Sequence, residues 1–149
     1  MSEITAVSLF TGAGGMDIGF EHEGVRILCA NELNRDACDT YEANHPEVRL
    51  IRGDLAEHMD ELKQHRGVDL VFGGPPCQAY SLVGRAQSSH MGTPMSADPR
   101  NDLYKLYARF LDRYKPRLFV FENVMGIQSA NGGETWKKVQ ESLRSVGYE

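Results

Sequence analysis

The stretch Val68-Asp69-Leu70-Val71-Phe72-Gly73-Gly74-Pro75-Pro76-Cys77-Gln78 joins a short apolar run to an abrupt turn. A β-branched and aromatic run that stops at Gly-Gly-Pro-Pro predicts a buried strand that ends in a rigid turn. Cys77 then follows the carboxyl end of the strand, which is where open α/β sheets bind their ligands. Because only the thiolate attacks and its position must be fixed, this placement makes Cys77 a candidate nucleophile. A lone cysteine after a strand more often packs in the core, so the assignment depends on the rest of the chain.

Strand and helix patterns alternate along the whole sequence. The other apolar runs that predict strands lie at residues 5–10, 25–30, 48–52 and 118–121, the last as a buried strand. The helical patterns lie at residues 16–23, 35–44, 55–65, 103–114 and 134–145. Strands separated by such helices indicate βαβ units, a parallel sheet and an α/β, doubly wound, Rossmann-like fold. Tyr148 and Glu149 are predicted to begin a further strand.

Composition sets the limits within which the chain can function. The 149 residues carry a formal net charge of −5 and fit one domain, residues 1–149. No apolar run approaches the roughly 18 residues that span a bilayer, and no secretory signal is present. Three cysteines without a Cys-x-x-Cys spacing predict neither a disulfide framework nor a metal site, and favour the reducing cytoplasm. The acidic balance argues against strong binding of nucleic acid by this chain alone.

A glycine-rich turn, Thr11-Gly12-Ala13-Gly14-Gly15, follows the first predicted strand. Glycines there let the backbone turn tightly and approach a ligand without an intervening Cβ. Glu32 lies about 20 residues beyond Gly12, the spacing at which an acid reaches the ribose hydroxyls of a nucleotide. Asp54, after the third strand, can meet an adenine amino group. Because the turn contains no Lys or Arg, it fits a cofactor that has adenosine but no pyrophosphate, such as S-adenosylmethionine.

Glu122 and Asn123 follow the fifth predicted strand. A carboxylate at the carboxyl end of a buried strand is costly unless it has a partner. One interpretation is a surface glutamate that caps the next turn; the other is a catalytic glutamate that contacts the ring nitrogen and exocyclic amine of a heterocycle. Because the fourth and fifth strands of a doubly wound sheet are usually neighbours, Cys77 and Glu122 can face one pocket.

Taken in order, these motifs resemble those of the carbon-5 cytosine DNA methyltransferases. Residues 9–15 are similar to the first motif of that family, residues 74–81 to its nucleophile motif and residues 98–103 to the next one. Glu122-Asn123-Val124 is similar to its catalytic Glu-Asn-Val. The resemblance covers nearly the whole chain, with one departure at Ser8, where the family often has Asp.

The resemblance implies an S-adenosylmethionine-dependent methyltransferase fold, incomplete at the carboxyl end, and assigns three groups of residues. The implied catalytic residues are Cys77, Glu122 and Asn123. The implied cofactor-binding residues are Phe10, Thr11, Gly12, Ala13, Gly14, Gly15, Glu32, Leu33, Asp54, Leu55, Pro76 and Leu103. The implied nucleic-acid contacts are Gln78, Ser81, Arg85 and Arg100.

The resemblance also implies a mechanism. Cytosine is expected to flip out of the duplex, because its reacting atoms are inaccessible in the stack. The Cys77 thiolate then attacks carbon-6 while Glu122 holds the ring. Carbon-5 takes the methyl group from S-adenosylmethionine, which leaves as S-adenosylhomocysteine, and loss of the carbon-5 proton expels the cysteine.

Three parts of such enzymes are missing from this sequence: a Gln-x-Arg-x-Arg segment, a target-recognition domain and a last motif that completes the cofactor pocket. We therefore expect the amino-terminal portion of a prokaryotic modification enzyme, cytoplasmic and nucleoid-associated. It is expected to be either one chain of a naturally split enzyme, which acts on double-stranded DNA with a complementary carboxyl-terminal chain, or a truncated product. In both cases we expect little activity from this chain alone. Two alternatives remain, a relative that methylates cytosine in transfer RNA and a non-catalytic cofactor-binding remnant.

Overall fold

The computed structural model describes residues 3–76 and 102–149, which fall into two compact units. The described parts of Met1–Gly74 and Arg113–Phe121 form the first unit, and those of Pro75–Asp112 and Glu122–Glu149 form the second. Several residues singled out from the sequence lie outside the described ranges: Cys77, Gln78, Ser81, Arg85 and Arg100.

The first unit is built on a five-stranded parallel sheet. Its strands are β1 (Ile4–Leu9), β2 (Val25–Glu32), β3 (Arg49–Arg52), β4 (Leu70–Gly73) and β5 (Leu118–Phe121). The strand order is β3-β2-β1-β4-β5, and every neighbouring pair is parallel. This order confirms the doubly wound, Rossmann-like prediction. The direction of winding reverses between β1 and β4, which is the position where such sheets bind ligands.

Three helices of the first unit follow the strands closely. They are α1 (Gly15–His22), α2 (Arg35–Asn44) and α3 (Leu55–His58). Asn34 caps α2 as expected for this residue type, since its side-chain oxygen accepts the Ala37 N–H at 3.0 Å.

The helix predicted over residues 55–65 is only partly α-helical. After α3 the chain continues as a 3₁₀-helix over Met59–His65. Side chains three residues apart eclipse in a 3₁₀-helix, so this geometry buries both Met59 and Leu62.

The core of the first unit lies around the central strands. Every residue of β4 is buried, and Phe72 packs its ring against Phe20 of α1 at 4.3 Å between ring centres. Ala6, Ile27 and Leu70 belong to the same buried cluster. Burial on both faces explains why these strands consist of nearly continuous apolar residues.

The prediction that the fifth strand is buried is wrong, since two of its residues are exposed and the other two are only partly buried. Leu118 is 67% exposed and Val120 is 40% exposed. The reason is position, because β5 is an outer strand of the sheet that the structure describes. An apolar run predicts a strand but does not tell a central strand from an outer one.

The described part of the second unit is helical. It contains most of α4 (Leu103–Tyr114), a short α5 (Gly126–Ser129) and α6 (Glu134–Ser145), the last with the predicted bounds. Tyr107, Phe110 and Leu111 of α4 are fully buried. The prediction of a further strand at Tyr148 and Glu149 is wrong, since neither residue is in a strand.

Within residues 3–76 and 102–149, no helix is long and apolar enough to cross a membrane. The same ranges hold no group of three or more His, Cys, Asp or Glu side chains able to bind a metal ion.

Acid is expected to weaken the first unit through Asp69, just before β4. This carboxylate accepts the Thr5 N–H at 3.0 Å and the Thr5 hydroxyl at 2.9 Å, and it pairs with Arg117. The bonds from Thr5, and then Arg117, hold the pKa of Asp69 below its usual value. A carboxyl group with a lowered pKa stabilises the fold at higher pH, and this stabilisation is lost as pH falls through the folded-state pKa, below about pH 4.

The measurement is urea unfolding of the natural protein and of Asp69→Asn between about pH 6 and pH 2.5. The variant should lose less stability on acidification than the natural protein does. Parallel curves for the two proteins would contradict the assignment.

Candidate functional site

The glycine-rich turn links β1 to α1 and adopts backbone conformations that suit glycine. Gly12 has φ of 58° and Gly14 has φ of 88°, both in the left-handed region. Inside the turn, the Gly14 N–H donates to the Thr11 carbonyl at 3.1 Å. Phe10 also has a positive φ, 54°, which is uncommon for a bulky residue and occurs most often at functional sites.

Glu32 lies directly against this turn. One of its carboxylate oxygens accepts the Gly12 N–H at 2.7 Å, and the other accepts the Asn34 N–H at 2.7 Å. A carboxylate offers about four acceptor positions, so this anchoring fixes the group and leaves about two positions for a ligand. The structure thus brings together the glycine turn and the acid that the sequence spacing paired with it.

A third turn, after β3, joins the same region of the first unit. The Gly53 N–H donates to the Glu32 carbonyl at 2.9 Å. Asp54 is exposed and caps α3, since one of its oxygens accepts the Ala56 N–H at 2.8 Å. Leu33 is 69% exposed, whereas the Leu55 side chain is only 2% exposed and packs in the core. Leu55 can therefore contact a ligand only through its backbone.

Asn31 was not identified from the sequence. It is 2% exposed, and its side-chain amide donates to the carbonyls of Ile51 and Gly53, each at 3.0 Å. These bonds tie the end of β2 to the turn after β3. The available signal was a polar residue inside an apolar strand, because a buried amide needs partners.

In the second unit, Asn123 contacts the segment that leads to Cys77. Its side-chain amide donates to the Pro75 carbonyl at 3.2 Å, and its side-chain oxygen accepts the Val124 N–H at 3.0 Å. Pro75 is buried, while Pro76 and Glu122 are exposed. The strands that precede these segments, β4 and β5, are neighbours in the sheet of the first unit, as predicted.

The two cysteines that the structure describes have environments unsuited to a nucleophile. Cys29 is fully buried in β2, and burial raises its pKa to about 11. Burial also raises the pKa of Cys38, whose thiol lies 3.4 Å from the Glu32 carbonyl oxygen. Since only the thiolate attacks, both are disfavoured at neutral pH.

Comparison with known sequences identifies the relatives of this chain. The sequence profile of the family described as C-5 cytosine-specific DNA methylase matches residues 4–149. The Type II methyltransferase M1.HphI of Haemophilus parahaemolyticus is 38% identical over 149 residues, covering 97% of this chain and 39% of that protein. The Type II methyltransferase M.FnuDI of Fusobacterium nucleatum is 38% identical over 143 residues, covering 95% of this chain and 38% of that protein.

Comparison with solved structures agrees. A prophage-encoded Escherichia coli protein described as a DNA modification methyltransferase superimposes with a TM-score of 0.74 at 25% sequence identity. The match covers 95% of this chain and 38% of that one. This chain therefore spans about two fifths of the length of the relatives that it matches.

Proposed function

The chain belongs to the C-5 cytosine-specific DNA methylase family, and on that premise we propose that it is the cofactor-binding and nucleophile-bearing part of a DNA cytosine-5 methyltransferase. The observation that carries the proposal is the contact of Glu32 with Gly12 at 2.7 Å. It places an anchored carboxylate beside an open glycine turn, at the end of the sheet where doubly wound folds bind nucleosides. The biological role that corresponds to this activity is that of the modification enzyme in a restriction–modification system.

The residues of the first unit fit S-adenosylmethionine. The free acceptor positions of Glu32 suit ribose hydroxyls, and the exposed Leu33 offers an apolar surface for the adenine ring. Asp54 keeps one carboxylate oxygen for the adenine amino group. The backbone of the glycine turn would face the amino acid part, together with the remaining candidates of the first unit, Phe10, Thr11, Ala13, Gly14, Gly15 and Leu55. Pro76 and Leu103 belong to the second unit and stay predictions from the sequence. When bound, the cofactor supplies an electrophilic methyl group.

We assign the covalent chemistry to Cys77, because the other two thiols are held protonated by burial. Its thiolate would add to carbon-6 of cytosine, forming a carbon–sulfur bond and moving the electron pair of the carbon-5–carbon-6 double bond to carbon-5. Carbon-5 would then take the methyl group as the methyl–sulfur bond of S-adenosylmethionine breaks, and S-adenosylhomocysteine would leave. Loss of the carbon-5 proton then returns an electron pair to the ring and breaks the carbon–sulfur bond. Glu122 holds the ring nitrogen and amino group, and Asn123 positions the Pro75 segment.

Binding of double-stranded DNA is proposed to depend on more than this chain. Gln78, Ser81, Arg85 and Arg100 are the proposed local contacts, but the net charge of −5 opposes strong binding to phosphates. The relatives are about two and a half times longer. We propose that the remaining length, in the same polypeptide or in a second chain, supplies target recognition and is needed for turnover.

Three measurements test this function. Isothermal titration of the chain with S-adenosylhomocysteine should show one site, and absence of binding would contradict the cofactor assignment. Methyl transfer from labelled S-adenosylmethionine should then be measured on duplex DNA and on transfer RNA, using the protein as isolated from its source. Label in carbon-5 of DNA cytosine is expected, and label in transfer RNA alone would move the substrate assignment to RNA. Native mass spectrometry of the same preparation should show a species heavier than 16.7 kDa.

Changing Glu32 is expected to weaken cofactor binding. Glu32→Gln removes one acceptor and the charge, so the dissociation constant should rise about tenfold, and Glu32→Ala should raise it about 100-fold. The measurement is calorimetric titration with S-adenosylhomocysteine. The matched control is Glu42→Gln, which removes a surface carboxylate paired with Arg52 at 2.6 Å and should leave affinity unchanged. Equal affinities of Glu32→Gln and the natural protein would rule out ribose recognition by Glu32.

A further inference from the structure

Asp17 is a fully buried carboxylate that the proposed mechanism does not use. It lies in the first turn of α1, two residues after the glycine turn, and its exposed fraction is 0%. Placing an ionisable carboxyl group in the interior is costly unless donors surround it. Its partners therefore indicate what it stabilises.

Three hydroxyl groups from three separate segments donate to Asp17. Ser8 of β1 donates at 3.0 Å and Thr11 of the glycine turn at 2.7 Å, both to the same carboxylate oxygen. Tyr41 of α2 donates to the other oxygen at 2.8 Å. Burial, and then the neighbouring Asp17, raise the pKa of Tyr41 well above its ordinary value, so the phenol stays protonated as a donor.

Ser8, which donates to Asp17, is also the position at which this sequence departs from the family that it resembles. The family that the chain resembles often has Asp at that position, in the strand. Here the carboxylate comes from the helix, and its oxygen lies 3.0 Å from the Ser8 hydroxyl. The residue at that position therefore donates to a carboxylate that α1 supplies.

Gly14, near the end of the turn, packs against side chains that are linked to Asp17. Tyr41 stacks on His45 with 4.4 Å between ring centres, and His45 in turn pairs with Glu21 of α1 at 2.9 Å. The His45 ring lies so close to Gly14 that a Cβ on Gly14 would overlap it. Its Nε2 atom is buried without a hydrogen-bond partner among the described residues.

We propose that Asp17 is a positioning residue that holds the turn of residues 11–15 in its ligand-receiving shape. It acts on Thr11 directly and on Gly14 through Tyr41 and His45. The identity of the ligand rests on the proposed function, but the effect on the turn does not. Loss of Asp17 should therefore loosen the turn in the free protein and weaken cofactor binding, while the chemical step at saturating cofactor is unaffected.

The first experiment needs no cofactor. Amide hydrogen exchange at Gly12 and Gly14 is measured by NMR in the free protein, for the natural chain, Asp17→Asn, Tyr41→Phe and Asp69→Asn. Asp17→Asn should speed exchange at both glycines about tenfold, and Tyr41→Phe about threefold, because each weakens hydrogen bonds to a buried carboxylate. If Asp17→Asn does not fold, the milder Tyr41→Phe decides the question.

Asp69→Asn is the matched control, because Asp69 also receives two bonds from a threonine but lies at the opposite, amino end of the strands. It should lower stability without a selective change at Gly12 and Gly14. If the Asp17 and Tyr41 variants exchange at these glycines no faster than the Asp69 variant, the positioning role is overturned.

The second experiment measures the dissociation constant for S-adenosylhomocysteine, and the KM for S-adenosylmethionine and kcat in the active protein. Asp17→Asn should raise the dissociation constant and KM about tenfold with kcat within about twofold. An unchanged dissociation constant overturns the proposal. If the natural protein binds no S-adenosylhomocysteine, the proposed function fails, while hydrogen exchange still decides the role of Asp17.

Discussion

Cys77→Ala is expected to abolish methyl transfer, with a fall in kcat of at least about 10⁴-fold, while the dissociation constant for the cofactor stays within about twofold. The reason is that alanine cannot add to carbon-6, so carbon-5 never becomes nucleophilic. Glu32, Asp54 and the glycine turn, which are proposed to hold the cofactor, belong to other segments and are unaltered. The measurement combines label transfer to DNA by the active protein with calorimetric titration of S-adenosylhomocysteine.

Cys29→Ala is the matched control for this experiment. Cys29 is fully buried and burial raises its pKa to about 11, so the thiolate is disfavoured at neutral pH. Its loss should lower stability modestly and leave kcat nearly unchanged. Joint loss of cofactor binding and transfer in Cys77→Ala would instead identify Cys77 as a structural residue. Substantial remaining transfer would exclude the covalent mechanism.

Gly73→Ala is expected to lower the free energy of unfolding by at least about 3 kcal/mol. Gly73 ends β4, pairs with Leu9 of β1 and has φ of 155°. A Cβ at this position would overlap the Leu9 carbonyl oxygen. Because this oxygen belongs to the backbone of a paired strand, no side-chain rotation can remove the overlap. The strands would have to separate at their carboxyl ends, next to the glycine turn. Urea unfolding followed by circular dichroism measures the loss.

Gly19→Ala provides the comparison. Gly19 is an exposed residue inside α1 with open space where its Cβ would lie. Alanine is the better helix former, so this variant should be up to about 1 kcal/mol more stable than the natural protein. The two glycine-to-alanine changes thus have opposite expected signs. Similar effects from both would mean that the close approach of β1 and β4 does not constrain Gly73.

The strands and the main motifs could be predicted because their signals are local. Apolar runs of four to six residues, each ending in glycine or a polar turn, predicted strands close to β1, β2, β3 and β4. The spacing of Gly12 and Glu32 predicted that both belong to one nucleoside site, and in the structure Glu32 accepts the Gly12 N–H at 2.7 Å. At β5 the strand was predicted correctly but its burial was not. The exposure of Leu118 and Val120 depends on which strands lie beside β5, and that is not a local signal.

Several residues of the candidate site carried no sequence signal specific enough to identify their role. Asn31, Tyr41 and His45 are ordinary residues of a strand, of a helix and of the segment after that helix. Asp17 looked like a helix residue near an amino terminus, where acids are common. Their roles depend on bonds between segments far apart in the chain, such as Tyr41 with Asp17.

The sequence by itself therefore determined the fold class, the family and the positions of the turns, because hydrophobic period and turn residues act over a few neighbouring positions. Only the tertiary structure decided how the glycine turn is held. Folding brings Ser8, Thr11 and Tyr41 to one buried carboxylate, and it presses Gly73 against Leu9. A buried carboxylate needs hydrogen-bond donors, and here they come from segments that are far apart in the chain. The close approach of two backbones depends on strand register. Neither the donors nor the register can be predicted from a local sequence pattern.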